Sequence, residues 1–502
     1  MSILVIDCGT SACRAVRYPL NGGAATGQKR EPIPASLFDR GGAEIDLDRL
    51  WPLVLRLLQW GSAEGAVEAV GISTFFAYVF LDSDGRLLGP AVTWMDNRAE
   101  PEAGTIRSII SDRAIHEATG RVPTAELLIP RLMHIRHETP NLFDSISSVI
   151  GLKDELVRRL TGQTGTDYAH ADYSLGYLAG TADRFAEIWE TVGISSSLLP
   201  RPESAASRAG SVTRAAASIT GLREGTPVVR GATDGTTAMY GCGVLGGVHH
   251  KRAAALVCGT TDVLMAHVPA RETDSVAKTM RDLRITCNTA MAGGGVLAGG
   301  AMGMSGGTVA WIAELLRMPV EALEAEAAGI TGGGESPVMV PSLSGERAPF
   351  WNAAVAGTFI GLRPYHRAGH LFRACLEGSA IRVGIMAGIL EEAGVPMHAI
   401  QAGGGSSGST LWNRIRADAC ALTILPLEDP EATARGTALF CAAMLSDSVE
   451  ALVPLTRDWI RFGPPIEPDE SESAHYLAAG ERYRSVIEMY SAWSKGKFGG
   501  EQ

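Results

Sequence analysis

The 502-residue sequence contains no CxxC pair and no compact cluster of cysteines. Its eight cysteines are scattered along the chain, which argues against a disulfide framework and a zinc site and predicts a reducing, cytoplasmic location. Basic residues are also in deficit, 44 against 55 acidic ones, for a formal net charge of −11. This balance argues against an electrostatic nucleic-acid binder.

Long apolar runs are scarce as well. The N-terminal run breaks at Asp7 and has no basic leader, so it does not resemble a secretory signal. The longest uncharged stretch, Ile285 to Ile312, could cross a bilayer by length, but glycine, threonine and asparagine interrupt it. We therefore expect glycine-rich loops around a cleft in this stretch, and no membrane segment.

A Walker-type phosphate loop is missing, because the one Gly-Lys pair, Gly496-Lys497, is followed by Phe498. The chain does contain enough apolar residues, 46%, for more than one core, and its length suggests two or more domains. Short β-type runs alternate with helix-type segments, the first helix being predicted at Leu47 to Gln59. This alternation predicts an α/β architecture.

One short motif occurs near the start of each half of the chain. The run ILVIDCGT occupies residues 3–10, and ALVCGTTD occupies residues 255–262. Each is an apolar strand followed by Cys-Gly-Thr, whose turn amides and threonine hydroxyl can donate to phosphate oxygens. The repeat predicts two related domains, residues 1–247 and 248–502.

Asp7 ends the first of these apolar runs. A charge at the end of a buried strand is costly unless it is paired, solvated or bound to a cation. Mg²⁺ takes one or two carboxylates together with substrate phosphates. Asp7 is therefore a candidate magnesium ligand beside a bound phosphate.

A second glycine loop, AGGGSSG at 402–408, lies between a predicted strand and a predicted helix. Its glycines at 403, 405 and 408 match GxGxxG, and the acidic residues Glu428 and Asp429 follow. This spacing fits a dinucleotide-dependent oxidoreductase. It also fits a phosphate at a helix N-terminus, and a connection that binds no ligand.

Taken in order, eight stretches of the chain resemble the FGGY carbohydrate kinases. They are DCGTSACR (7–14), TWMDNR (93–98), GATDGTTAMYGCG (231–243), CGTTD (258–262), PSLSGERAPFW (341–351), GTFIGLRPYHRAGHLFRACLE (357–377), AGGGSSGSTLWNRIRAD (402–418) and EATARGTAL (431–439). The resemblance implies a two-domain α/β actin-like ATPase fold, also called ribonuclease H-like, with a central interdomain cleft. It further implies ATP and Mg²⁺ as cofactors, a sugar or sugar acid as substrate, and a homodimer.

The resemblance assigns roles to individual residues. Asp234 would be the general base of a sugar-binding domain 1–247, although an aspartate there also fits a helix N-cap, and Asp7 would hold the metal. The residues that would bind the nucleotide and its phosphates, several of them in the domain 248–502, are Thr10, Ser11, Arg14, Gly259, Thr260, Gly403, Gly404, Gly405 and Asn413. The residues that would contact the substrate are Phe75, Phe76, Trp94, Asp96, Arg98 and Asp234. Core packing and a surface ion pair are the alternatives for the aromatic and the charged members of this set.

Substrate choice depends on smaller differences. Thr74-Phe75-Phe76 stands where similar xylulose kinases have Met-His-Gly and glycerol kinases have Arg-Glu, which favours the gluconate kinase branch and an aldonate substrate. A xylulose, other ketose or polyol kinase is the alternative, as is an actin-like ATPase switch that uses no sugar. Arg131, Asp172 and Arg414 depart from the family pattern, and Arg131 is an additional cation that could favour an acidic sugar. Glu346 and Arg347 either pair with each other at a turn or lie near the cleft.

Overall fold

A computed structural model describes residues 1–39, 43–247, 252–282, 284–331 and 336–498 of the protein. The strands of the first half are β1 (Ser2–Cys8), β2 (Ala12–Pro19), β3 (Gly27–Pro32), β4 (Phe38–Asp39), β5 (Glu44–Ile45), β6 (Val67–Thr74), β7 (Ala77–Leu81), β8 (Ala91–Thr93), β9 (Ser148–Gly151), β10 (Thr166–Asp167), β11 (Pro202–Glu203), β12 (Arg208–Ser211) and β13 (Pro227–Val229). Its helices are α1 (Leu47–Ala63), α2 (Glu100–Ile109), α3 (Asp112–Thr119), α4 (Leu128–Glu138), α5 (Pro140–Ser145), α6 (Leu152–Thr161), α7 (Tyr168–Asp172), α8 (Ala186–Val192), α9 (Arg214–Thr220) and α10 (Asp234–Gly241).

The second half continues the alternation of strands and helices. Its strands are β14 (Ala253–Cys258), β15 (Thr261–Val268), β16 (Thr286–Thr289), β17 (Val296–Met304), β18 (Val338–Val340), β19 (Thr358–Ile360), β20 (Ala399–Gly403) and β21 (Thr423–Pro426). Its helices are α11 (Ala270–Asp282), α12 (Gly306–Leu316), α13 (Val320–Ala328), α14 (Ala368–Glu392), α15 (Thr410–Cys420), α16 (Ala432–Leu445), α17 (Leu452–Trp459) and α18 (Glu470–Phe498). The predicted α/β architecture is confirmed.

The two central sheets share one strand order. In the first, β3, β2 and β1 form an antiparallel meander, and β6 and β13 extend it in parallel from β1. In the second, β17, β15 and β14 form the meander, and β20 and β21 extend it in parallel from β14. The Cys-Gly-Thr motifs occupy the same turn of the two meanders. The predicted boundary between residues 247 and 248 borders the segment 248–251, which lies outside the described residues.

Local sequence explains where the first elements begin and end. β1 is buried along its whole length because it lies between β2 and β6. Helix α1 begins after Asp46, whose carboxylate accepts hydrogen bonds from the N–H groups of Asp48 and Arg49. It extends four residues beyond the predicted end at Gln59, to Ala63. Its apolar stripe packs under the first sheet.

Helices α10 and α16 pack closely between the two sheets. A Cβ atom on Gly241 would lie 1.8 Å from the carbonyl oxygen of Ala432, and one on Gly436 would lie 1.8 Å from that of Thr237. Glycine is therefore required at both positions for this helix contact. The contact belongs to a buried cluster that contains side chains of both halves, and it holds the first turn of α10 at the junction between them.

Two predictions about compartment and membrane bear on this fold. All eight cysteines are free. The prediction of glycine-rich loops over Ile285 to Ile312 is wrong for most of the stretch, which folds mainly as β16, β17 and the start of α12. Among the described residues, no helix combines the length and the apolar character that crossing a membrane requires.

Candidate active site

Asp234 is the first residue of α10, directly after the turn that follows β13. Thr233 occupies the N-cap position, so the alternative interpretation of Asp234 as the N-cap is wrong. The carboxylate accepts a hydrogen bond from the N–H of Gly235 at 2.6 Å. Burial and then the negative charge of Asp7 raise the pKa of Asp234 to about 7, against a smaller opposing effect of that hydrogen bond.

A cavity of about 130 Å³ contains the Asp234 side chain. Both halves of the chain contribute to its wall, as expected for an interdomain cleft. From the first half come Phe76, Arg121, Val122, Thr124, Glu126, Leu127, Tyr173, Thr233, Gly235, Thr236 and Met239; from the second come Val263, Met265, Thr286, Asn288, Leu297, Ala301, Arg347 and Trp351. The cavity therefore offers one carboxylate of raised pKa, two guanidinium groups and several hydrogen-bonding side chains.

Asp7 lies at the end of β1 and is almost fully buried. Its carboxylate accepts hydrogen bonds from Arg14 at 2.7 Å and from the hydroxyl of Ser73 at 2.9 Å. Arg14 also pairs with Glu431 of the second half at 2.6 Å. Burial lowers the pKa of Arg14, but the two carboxylates outweigh burial and hold it above its ordinary value.

The donor set at Asp7 fits magnesium. One carboxylate, supplemented by substrate phosphates, is the protein contribution that Mg²⁺ ordinarily takes. Asp7 supplies that carboxylate, and its charge already acts on Asp234. The predicted metal ligand and the predicted base are thus neighbours.

The turn that joins β1 to β2 holds Thr10 and Ser11, both exposed. The equivalent turn of the second sheet holds Gly259 and the exposed Thr260. Here the N–H groups of Gly306 and Gly307 donate to the carbonyl oxygens of Gly259 and Thr260, at 3.1 and 3.0 Å. This pairing fixes the second turn against the start of α12.

A larger cavity of about 700 Å³ opens beside that second turn. It is lined by Cys258, Gly259, Thr260, Gly306, Gly307, Val309, Ala310, Val320, Glu324, Phe372, Leu376, Gly405, Ser406, Gly408, Ser409 and Trp412. Its lining combines the Gly-Thr turn with apolar side chains such as Val309, Phe372 and Leu376. This mixture suits a nucleotide, whose phosphates need donors and whose base needs apolar contact.

Glycines 403 to 405 act differently from one another. Gly405 lines the larger cavity. Gly404 has a φ of +99°, and a Cβ there would lie 2.7 Å from the carbonyl oxygen of Cys258. A Cβ on Gly403 would lie 2.6 Å from the sulfur of Cys242. Gly404 therefore allows the loop to approach the end of β14, whereas Gly403 allows close packing against the Cys242 side chain.

Asn413 is not among the residues that line this cavity. Its side chain is buried, donates to the carbonyl oxygen of Ser407 at 2.7 Å and accepts from Arg416 at 3.0 Å. Asn413 thus stabilises the glycine loop through Ser407 and does not form part of the cavity wall.

Of the predicted substrate aromatics, the structure brings Phe76 to Asp234. The Phe76 ring lines the smaller cavity and lies against Tyr173 and His170. Phe75 is buried in the core against Phe38, and the Trp94 side chain is 41% exposed. The core-packing alternative describes Phe75.

Asp96 and Arg98 are not brought together with Asp234. Arg98 donates to Asp96 at 2.8 Å and to Glu44 at 2.7 Å, and all three line a separate cavity of about 640 Å³. Arg131 lies there too. It is buried, and its guanidinium donates to the carbonyl oxygens of Ala125, Val92, Thr93 and Asp96. Arg131 therefore stabilises backbone carbonyl groups, and it does not line the cavity that contains Asp234.

The structure also places Arg414 and the two charged residues of the motif Gly345-Glu346-Arg347. Arg414 is exposed and donates to the carbonyl oxygen of Glu467. Glu346 pairs with Arg382 at 3.3 Å, whereas Arg347 pairs with Glu126 of the first half at 3.0 Å. The two residues of the motif therefore do not pair with each other, and Arg347 lies in the cleft.

Three charged or amide residues of the cavity were missed from the sequence: Arg121, Glu126 and Asn288. Arg121 follows α3, Glu126 precedes α4 and Asn288 lies in β16. Each belongs to an unremarkable stretch of polar and apolar residues. The one available signal was the uncharged glycine-rich stretch around Asn288, which was predicted to surround a cleft.

Comparison with known proteins agrees with this architecture. Models of the N-terminal and C-terminal domains of the FGGY family of carbohydrate kinases match residues 2–241 and 254–445. The chain is 24% identical to a xylulose kinase of Bacillus subtilis (strain 168), with 96% of each chain covered. It is 26% identical to an L-fuculokinase of Salmonella typhi, with 93% of this chain and 98% of the relative covered.

A gluconokinase of Bacillus subtilis (strain 168) is similarly close, at 24% identity over 94% of this chain and 93% of the relative. The crystal structure of a ligand-bound xylulose kinase from Lactobacillus acidophilus superposes with a TM-score of 0.87 at 21% identity, over 99% of both chains. This similarity confirms the predicted two-domain actin-like fold. Because the two family models together span most of the sequence, the chain belongs to the FGGY family of carbohydrate kinases.

Proposed function

We propose that this kinase transfers the γ-phosphoryl group of ATP to a hydroxyl of a gluconate-like aldonate, with Asp234 as the general base. The observation that carries the proposal is the position of Asp234, whose raised pKa lies near neutrality in a cavity walled by both halves of the chain. A base of that pKa can accept a proton at physiological pH. Residues 1–247 would hold the sugar and the base, and residues 248–502 the body of the nucleotide.

The transfer needs little covalent chemistry from the protein. The substrate hydroxyl oxygen forms a bond to the γ-phosphorus as the bond to the bridging oxygen of ADP breaks, and the hydroxyl proton passes to Asp234. Thr10, Ser11 and Arg14 would position the phosphates from one side, and Gly259 and Thr260 from the other. When bound, Mg²⁺ would neutralise phosphate charge, and Asp7 is the residue that would hold it.

The glycine loop completes the nucleotide site. Gly404 allows its close approach to β14, Gly403 packs against Cys242, Gly405 lines the cavity, and Asn413 stabilises the loop through its hydrogen bond to Ser407. The apolar side chains that line the larger cavity would contact the adenine ring.

The preference for a sugar acid rests on charge. The cavity around Asp234 contains the guanidinium groups of Arg121 and Arg347, and one carboxylate, Glu126, pairs with Arg347. Relatives called xylulose kinase, L-fuculokinase and gluconokinase are similar at 24–26% identity. Overall similarity therefore does not select a substrate, and the side chains of the cavity must. A neutral ketose or polyol is the alternative.

The test is ADP release over a panel of aldonates, ketoses and polyols with the wild type and Asp234→Asn. We expect release to depend on a sugar and to fall by at least about 100-fold in the variant, because the proton acceptor is lost. Asp84→Asn, a change at an exposed ion pair, serves as the matched control and should leave the rate unchanged. ATP turnover that needs no sugar and survives Asp234→Asn would instead identify an ATPase switch.

The proposed assembly is a homodimer. Helix α18 exposes the large apolar side chains of Leu477, Met489 and Trp493, and contact with a second copy would remove them from water. Light scattering at micromolar concentration should give twice the chain mass of 52.9 kDa. A mass of one chain would remove this part of the proposal.

A further inference from the structure

Arg121 is a buried cation that faces the sugar cavity. Its side chain lies in the segment after α3, is 5% exposed, and lines the same cavity as Asp234. The guanidinium carbon lies 3.9 Å from the centre of the Tyr173 ring, a stacking contact that holds the plane of the group. One nitrogen, Nη2, donates to the amide oxygen of Asn288 across the cleft.

The rest of the Arg121 guanidinium is poorly satisfied. Its Nε is buried without a hydrogen-bond partner. Within the described parts of the chain, the guanidinium makes one hydrogen bond, to Asn288, and forms no ion pair with a carboxylate within 4.0 Å. A buried charge of this kind is costly unless a counter-charge arrives from outside the protein.

The other charged groups near the cavity have partners already. Arg347 pairs with Glu126 at 3.0 Å. Burial raises the pKa of Asp172, and the charge of Arg121 opposes this rise. The two carboxylate oxygens of Asp172, however, accept hydrogen bonds from the N–H and the hydroxyl of Thr289. Arg121 is thus the cation of this cavity whose charge the protein leaves uncompensated at short range.

We propose that Arg121 is the receptor for the carboxylate of the substrate and thereby selects sugar acids over neutral sugars. This inference rests on the proposed function, because it assumes that the hydroxyl to be phosphorylated lies at Asp234. An open-chain aldonate carries its carboxylate and its terminal hydroxyl at opposite ends. A guanidinium that binds the first therefore presents the second to a base elsewhere in the same cavity, and its fork geometry suits a carboxylate.

The experiment compares D-gluconate with neutral sugars and polyols, including glucitol, as substrates of the wild type, Arg121→Met and Arg121→Lys. We expect Arg121→Met to raise the KM for gluconate by about 100-fold, because a buried charge-assisted contact is lost. The loss of kcat/KM for the best neutral substrate should be at least about tenfold smaller than the loss for gluconate. Arg121→Lys should recover part of the gluconate activity because the charge is retained.

A second variant keeps the inference testable if Arg121→Met does not fold. Asn288→Asp is isosteric and places a carboxylate on the group that Arg121 already contacts. It should raise the KM for gluconate by at least about tenfold, with neutral substrates affected less. Gluconate should also raise the Tm of the wild type in the absence of ATP. It should not raise the Tm of Arg121→Met or of Asn288→Asp.

Each contrary result has its own meaning. An unchanged gluconate KM in Arg121→Met, or an equal loss for gluconate and neutral substrates, would overturn the assignment of Arg121. A wild type that phosphorylates neutral sugars alone, with full dependence on Asp234, would overturn the sugar-acid receptor while leaving the base in place. Activity that survives Asp234→Asn would instead overturn the proposed function itself.

Discussion

Thr289 donates two hydrogen bonds to Asp172 across the domain interface, from its N–H to Oδ2 at 2.7 Å and from its hydroxyl to Oδ1 at 2.8 Å. Asp172 ends α7 of the first half, and Thr289 ends β16 of the second. Both side chains are buried, and the neighbouring Asn288 lines the sugar cavity. This pair therefore fixes the edge of the second sheet beside the candidate active site.

Removing the carboxylate should destabilise the interface. Asp172→Ala leaves two buried donors of Thr289 without partners, which we expect to lower the free energy of unfolding by about 2–4 kcal/mol. Urea denaturation measures this change. In a double-mutant cycle, Asp172→Ala and Thr289→Val should cost less together than the sum of the two single changes. Simple additivity would contradict a direct contact between the side chains.

The same carboxyl predicts a pH dependence of stability. Burial raises the pKa of Asp172 to about 7, although Arg121 and the bonds from Thr289 oppose it. The folded state then binds the proton more tightly than the unfolded state, whose aspartate pKa is about 4. The contribution of this group to stability is therefore largest below about pH 4 and declines as the pH rises through about 7. Asp172→Asn should flatten the decline, and an unchanged slope would count against the assignment.

Two glycines of the nucleotide loop provide a matched pair. Gly404→Ala places a Cβ at a φ of +99° and 2.7 Å from a carbonyl oxygen, whereas a Cβ on Gly408 meets nothing within 4 Å. We expect Gly404→Ala to raise the KM for ATP by about tenfold or more, because the loop must move away from β14. Gly408→Ala should have a smaller effect. Equal KM values for the two variants would show that the close approach is not needed.

The ion-pair network of Arg98 tests the predicted substrate role of the TWMDNR motif. Arg98 bonds Asp96 and Glu44 in a cavity separate from that of Asp234. Arg98→Met should therefore change the sugar KM by less than about twofold and lower the free energy of unfolding by about 1 kcal/mol, as for a partly exposed pair. Phe76→Ala, at a residue that lines the sugar cavity, should raise the sugar KM in parallel assays. A larger effect of Arg98→Met on KM would restore the substrate role.

Sequence reasoning succeeded where a local pattern has one physical explanation. Apolar runs next to glycine turns predicted β1 and β14, and the helix predicted from Leu47 begins where α1 begins. The glycine loop also folds as predicted between β20 and α15. Asp234, predicted as the general base, is the first residue of α10 and lines the cavity between the halves.

The cavity wall could not be predicted because it is built from contacts between distant parts of the chain. Arg121 contacts Asn288 at a sequence separation of 167 residues, and Arg347 contacts Glu126 at a separation of 221. No periodicity connects such residues. Conversely, Asp96 and Arg98 follow Trp94 closely in the sequence, and their ion pairs with each other and with Glu44 lie in a cavity separate from that of Asp234.

The central claim is that Asp234 accepts the substrate proton, and the pH dependence of kcat/KM for the sugar tests it most directly. The pH dependence of kcat/KM reports the pKa values of essential groups in the free enzyme. In the free enzyme the pKa of Asp234 is raised to about 7. We predict that kcat/KM rises about tenfold per unit on the acid side and levels off above about pH 7, because only the ionised carboxylate can take the proton. A kcat/KM that stays constant from about pH 5.5 to 8.5 would contradict the account.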